Sequence, residues 1–383
     1  MTVPARADGG RSRADLPGLV QVGKVPSGLF SSPPREYGVI VAPLEQENPE
    51  RETPSKYSCN KSCNSHRRAV QRTMETTPIQ TLGTTEWRNR ALRHRCRAKK
   101  WTDPMRDRRA RREKHPIFDF LNTYYQLSLG KLEAWHPGFG VALEDCRAAR
   151  RAFATRHYQF AEGTCRVEPS RIGGKERERL RFTAKLLAAT HGRPPSFVCH
   201  GLHEWAMVYR GTMVRHRETV PFRIPQEEID ALVESRPLCC THFDAFRHFS
   251  PGAQPLNRVQ PGLWSREENE QPGCIHANMD LYKWAAKAIP WVGSDLLWDC
   301  FQLAVQAREI DMRASPYDLS TLGYAPITVE TEAGRTQYEE AQRSLCKTAH
   351  PLRLRLLAAL ENVLAAAGRE DHSHVDAAGS PPP

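Results

Sequence analysis

The segment FVCHGLHEWAMVYR, residues 197–210, sets His200, His203 and Glu204 into a run that is otherwise largely apolar and aromatic. Wound as a helix, with His200 at 0°, it puts His203 at about −60°, Glu204 at about +40° and Met207 at about −20°. The three polar residues then share one arc of about 100°. Imidazole and carboxylate on one face suit general acid–base work and metal binding alike. The same arc would also serve as the wet side of an amphipathic helix, and the sequence leaves both readings open.

Three more segments pair histidine or arginine with carboxylate. In CCTHFDAFRHF, 239–249, an extended backbone sends His242 and Asp244 to one side, whereas a helix pairs Asp244 with His248 at i and i+4. The aromatic residues between them point to burial, so Asp244 needs a partner: Arg247, a histidine, a metal, or a simple loop-holding hydrogen bond. In PGCIHANMDLYKW, 272–284, His276 stands two residues before a helix-capping Asn278, and Asp280 falls in the first turn, where it complements the helix dipole. In REIDMRASPYDLSTLGY, 308–324, Arg308, Glu309, Asp311 and Arg313 crowd a helix end and read as internal ion pairs.

His200, His203, His242, His248 and His276 are therefore the metal-ligand candidates, and imidazole with carboxylate suits Fe, Mn or Zn. Helical bundles can build di-metal sites from such side chains, but their Glu-x-x-His signature is missing: the order here is His-x-x-His-Glu, without a second copy. HEW is not HExxH, which excludes a zincin, and no GxSxG, Walker A or GxGxxG motif occurs. WHPGFGVALEDCRAARR, 135–151, has a Pro-Gly turn that would feed a helix and could hold a phosphate on its backbone N–H groups. Glu144 and Asp145 just beyond it would repel one, which favours an ordinary loop.

The elements that must position these residues are helical. Helices are expected at 116–127, 141–160, 176–190, 197–210, 226–235, 279–288, 294–312, 333–348 and 351–366, with Ser294 capping one and Gly368 stopping the last. A small hairpin at 327–334 is the one strand signal. The fold class read from this pattern is all-α: a single large multi-helix domain with a disordered N-terminal extension. Residues 1–84, rich in Pro, Ser, Gly and Thr, read as that extension. Met74 would serve as a start, in which case residues 1–73 are not natural to the protein. Residues 85–114 read as a basic helical arm broken at Pro104, 115–367 as the catalytic domain, and 368–383 as a disordered tail.

The 383-residue chain carries a net charge of +11, and it is unevenly spread. Residues 1–114 hold 24 Lys/Arg against 12 Asp/Glu, while residues 115–383 hold 31 against 32. The basic run between Arg88 and Lys114 could contact the phosphates of DNA or could be a solvated helix face. The near-neutral remainder argues against a generally basic binding surface. The 11 cysteines include no CxxC, only a CxxxC at Cys59 and Cys63, and read as free thiols of a reducing compartment. No apolar run is long enough for a membrane span and no signal segment is evident, so the expected location is the cytoplasm.

The stretches HPIFDFLNTYYQLSLGKLEAWHPGFGVALED, FVCHGLHEWAMVYR, THFDAFRHF, QPGCIHANMDLYKW and REIDMRASPYDLSTLGY together resemble an actinobacterial-type family carried under the name 3-methyladenine DNA glycosylase. The resemblance spans roughly residues 86–366. It implies a DNA-repair hydrolase that releases alkylated bases by flipping them into an aromatic pocket, without a metal cofactor. On that reading Glu204 or Asp244 is the catalytic carboxylate, and Trp205, Tyr209, Tyr282 and Trp284 supply the stacking. Two other functions remain open on the residues themselves: a metal-dependent helical enzyme acting on a small molecule, and a non-catalytic binding protein whose histidines are structural.

Overall fold

The computed structural model describes residues 79–211 and 220–376. The expectations for residues 1–78, with Cys59, Cys63 and the Met74 start, and for residues 377–383 lie outside the described residues. Within them helices dominate, as the apolar periodicity requires: α1 Thr84–Ala110, α2 Phe120–Tyr124, α3 Leu129–Glu133, α4 Arg147–Ala152, α5 Gly174–His191, α6 Leu202–Val208, α7 Gln226–Ser235, α8 Phe243–Phe246, α9 Arg266–Asn269, α10 Ile275–Lys287, α11 Ser294–Arg313 and α12 Glu332–Asp376. None of them is long and apolar enough to cross a membrane.

The core has two parts. One is built on α10 and α11, which pack as a hairpin, with α12 laid across both and α5 against α12. The other gathers Leu202, Trp205, Ile229, Val233, Phe249, Tyr317 and Tyr338 around α6. Almost the whole of α10 is buried, including His276, Asn278, Asp280 and Lys283. A helix buried on every side normally carries apolar residues all round. These four polar side chains can find partners only inside the protein.

The basic stretch is one unbroken helix packed on the domain. Trp87, His94, Ala98, Thr102 and Met105 form its buried stripe at helical spacing. Pro104 does not break it, because Pro104 and Lys100, whose carbonyl loses its helical donor, both lie on the exposed face where water can serve. The same holds for Pro351 and Lys347 in α12, so the two helices expected at 333–348 and 351–366 are one. That helix also runs through Gly368 to Asp376 instead of stopping there. Part of the charge of α1 is spent within the domain: Arg97 meets Asp295 at 2.6 Å, Arg106 meets Glu133 at 2.6 Å and Arg108 meets Asp119 at 2.5 Å.

Of the helix expected at 141–160 only the short α4, Arg147–Ala152, is formed. Val141–Glu144 and Tyr158–Ala161 are strands of a small four-stranded sheet, ordered β1 (Gln80–Leu82), β2 (Val141–Glu144), β4 (Thr164–Val167), β3 (Tyr158–Ala161). The β1–β2 pair is parallel and the others antiparallel. Residues 80–84 thus belong to the folded domain, with Leu82 fully buried. The hairpin expected at 327–334 is absent, and α12 begins within it. Glu144 accepts the Thr84 N–H at the start of α1 at 2.7 Å. Asn278 lies inside α10, which starts at Ile275, and Ser294 is the first residue of α11 behind an N-cap Gly293.

The HPGFG turn, with no helix after it, locks onto the start of α11. Ser294 N donates to His136 O at 3.0 Å and Phe139 N to Trp291 O at 2.9 Å. Gly138 has φ +84°, and a Cβ there would stand 2.5 Å from Gly293 N. Gly140 also has positive φ, but nothing lies within 4 Å of its would-be Cβ. Gly138→Ala is expected to lower stability by more than about 1 kcal/mol, and by more than Gly140→Ala does. Urea unfolding reads this directly; equal midpoints for the two variants would show that the Gly138–Gly293 contact is not tight.

Candidate metal centre

His203 enters at the second residue of α6, His276 at the second residue of α10, and Asp311 in the last turn of α11. All three are buried, and a ligand-type atom from each lies within 4.8 Å of the other two. His203 Nε2 is 2.6 Å from Asp311 Oδ1, and His276 Nε2 is 4.0 Å from Asp311 Oδ2. The His203 and His276 rings meet edge to face at 4.5 Å. His242, just before α8, stacks on His276 at 5.4 Å. The Nδ1 atoms of His242 and His276 are buried without a hydrogen-bond partner.

Burial and the neighbouring His203 push His276 down to about 3, so it is a neutral imidazole with a free lone pair. Burial works against protonation of His203 as well, but the Asp311 carboxylate overcomes it and holds the imidazole well above its usual value. Asp311 lies far below the carboxylate range: burial opposes this, and His203, His276 and Arg308 outweigh it. A divalent cation bound between His203 Nε2 and Asp311 would have to displace the proton held there.

Two charge networks flank this group. In the first, Arg308 Nη1 donates to Glu204 Oε1 at 2.7 Å and to Asp311 Oδ2 at 2.6 Å, while its guanidinium lies 3.8 Å over the Phe120 ring. Glu204 is nevertheless raised, because burial outweighs the arginine. In the second, Asp280 accepts from Lys283, from Arg266 at 3.2 Å and from Tyr125 at 2.7 Å. Lys283 also reaches Asp244 at 3.0 Å, and Arg266 reaches Glu270 at 2.7 Å. His242 Nε2 sits at its edge, 3.3 Å from Asp280 and 3.7 Å from Glu270.

A cleft of about 70 Å³ opens onto the first network. Glu204, Asp244, His248, His276 and Arg308 supply its polar wall, and Phe120, Tyr124 and Tyr317 much of its apolar one. Both carboxylates expected to act, Glu204 and Asp244, thus face one space. Of the five candidate histidines, His203 and His276 join the ligand group and His242 stacks beside it. His248 lines the cleft, and its Nε2 lies 3.5 Å from Tyr124 OH. His200 turns away, with Nε2 3.7 Å from Glu339.

The four aromatic residues expected to stack on a base line none of this cleft. Trp205 is fully buried with its Nε1–H on Ala314 O at 2.8 Å, and Tyr209 donates to Glu234 at 2.5 Å. Tyr282 is fixed to Asn122 at 3.2 Å in the core, and Trp284 lies beneath Lys283 and Arg266. Their apolar bulk made them core residues first.

In the sequence Asp311 and Arg308 read as a local pair. That pair exists, but the i, i+3 spacing hid its contacts with α6, some hundred residues earlier. No protein family, curated protein or solved structure matches the chain.

Arg308 is the hub of the first network, so Arg308→Ala leaves two buried carboxylates short of a cation. The expected cost is about 3–5 kcal/mol. Arg308→Ala with Glu204→Gln should lose less than the two single losses summed, because the pair is coupled. Strict additivity in urea unfolding would show that the Arg308–Glu204 contact carries no energy.

Proposed function

We propose that the protein is a metal-dependent enzyme in which one divalent ion, of iron, manganese or zinc, is held by His203 Nε2, His276 Nε2 and an Asp311 oxygen. The observation that carries this reading is the buried group itself: three ligand atoms within 4.8 Å, from three different helices, at the edge of a cleft. Two imidazoles and one carboxylate leave coordination positions for water and substrate, a set used by non-haem iron and by catalytic zinc. The ion would supply Lewis acidity and an activated oxygen ligand. Glu204 is placed to move a proton at the cleft wall. Phe120, Tyr124 and Tyr317 face these polar groups from the apolar wall, and a cleft of this size suits a small molecule with both apolar and polar parts.

A second reading, the alkyl-base N-glycosylase, is favoured by Glu204 and Asp244 facing the same cleft. It needs no metal, and a flipped base would require the cleft to widen well beyond about 70 Å³. The DNA contact through residues 86–114 belongs to that reading, carried by the arginines and lysines on the exposed face of α1.

Elemental analysis of the purified protein separates these readings. Near-stoichiometric metal is expected, lost in His276→Ala and Asp311→Asn variants that keep their circular dichroism. Metal-free protein that releases 3-methyladenine from methylated DNA would replace the first reading with the second. Metal-free protein that releases nothing would leave a binding protein with structural histidines.

A further inference from the structure

The second ring nitrogen of His203 also has a dedicated partner. Cys199 Sγ lies 3.3 Å from His203 Nδ1, while Nε2 faces Asp311 on the opposite side of the ring. The backbone is shaped to make that contact. His200 and Gly201, with φ 45° and 76°, are consecutive left-handed residues, and Leu202 N closes the turn onto Cys199 O at 2.9 Å. Left-handed backbone is strained for a residue with a side chain, as His200 is. The turn is also held from outside: a Cβ on Gly201 would meet Ala314 Cβ and the Tyr338 ring at 3.3 Å. Cys199 and His203 line a small second cavity with Cys239, Cys240 and Cys274, and none of these residues lines the cleft.

We propose that Cys199 is a positioning residue of the metal centre: its sulfur accepts the Nδ1–H of His203 and so fixes the tautomer that leaves the Nε2 lone pair to the ion. This rests on the metal reading above. Once the ion displaces the proton shared with Asp311, the imidazole is neutral and carries one N–H, and a partner that takes it at Nδ1 leaves Nε2 to ligate. Outer partners of this kind are usually carboxylates, carbonyls or water, and losing one typically weakens metal binding by about 10–100-fold. A thiol from the residue four positions earlier serves here, and the two left-handed residues are what bring it round. Cys199 cannot ligate the same ion, because it sits on the opposite edge of the ring.

The test is competition for Co²⁺ between the protein and a chromophoric chelator, with the cobalt visible spectrum recorded in parallel. The full chain is used as wild type, Cys199→Ser, Cys199→Ala and Cys239→Ala, each checked by its melting curve. Cys199→Ala is expected to bind about 10–100-fold more weakly with an altered spectrum, and Cys199→Ser to recover most of the affinity. Cys239→Ala removes a thiol from the same cavity without touching His203 and should bind as wild type. Should Cys199→Ala melt early, a Cys199→Val variant, of similar bulk without an acceptor, decides: weakened binding with an altered spectrum supports the role, and wild-type binding and spectrum overturn it. Equal affinity and spectrum for wild type and a folded Cys199→Ala would overturn the role of Cys199 and leave the metal reading standing. Wild type that takes up no Co²⁺ would overturn both.

Discussion

A fully buried guanidinium is the constraint around which the rest is arranged. Arg308 is buried on α11, a helix that contributes to both core regions, and an uncompensated charge there would cost several kcal/mol. Its compensation comes from Asp311 one turn on and from Glu204 on α6, while its flat face rests on Phe120. Satisfying one side chain therefore ties α11, α6 and α2 to one point. Because Asp311 has a second oxygen, the same demand brings His203 into line, and His276 follows from the adjacent helix.

Much of the helical framework was legible because burial imposes a period. The segments at 226–235, 176–190 and 294–312 fall within a residue or two of α7, α5 and α11. The failures share one cause: local signals were given a weight that tertiary packing overrode. VALE reads equally as a helical start or a strand, and pairing with the distant Gln80–Leu82 decided it. Pro104, Pro351 and Gly368 are helix breakers by propensity, yet each is accommodated within a helix, the two prolines on exposed faces. The sheet at 80–82, 141–144, 158–161 and 164–167 rests on pairings of short strands, two of them some sixty residues apart in sequence, and no periodicity over so few residues can announce it.

The candidate site was legible in its residue types and not in its grouping. His203, His276 and Glu204 stood out because imidazole and carboxylate are costly inside apolar segments. Asp311 did not, since an Arg three residues before it offered a sufficient local partner. Trp205, Tyr209, Tyr282 and Trp284 were drawn to a base-binding role by their rings alone, whereas Phe120, Tyr124 and Tyr317, no different in kind, are the aromatic residues that face the cleft. Ring type carries no information about which way a ring points. That depends on helix faces, and on those faces the largest rings went to the core.

The two charge networks differ in a way that bears on how many ions such a site could hold. Asp280, Asp244 and Glu270 have Lys283 and Arg266 among them, so side-chain cations already occupy the positions a second metal would take. Asp311 and Glu204 share the guanidinium of Arg308, and the second oxygen of Asp311 faces His203, where a protonated imidazole or a cation in its place would balance it. The sequence carries one His-x-x-His-Glu and no second copy, and the fold fills the corresponding place with lysine and arginine. Both facts favour one exchangeable cation site over two. Of the three residues proposed to hold that ion, His276 is the one that also lines the cleft, so it is the side from which a substrate would meet the ion while Arg308 keeps its partners.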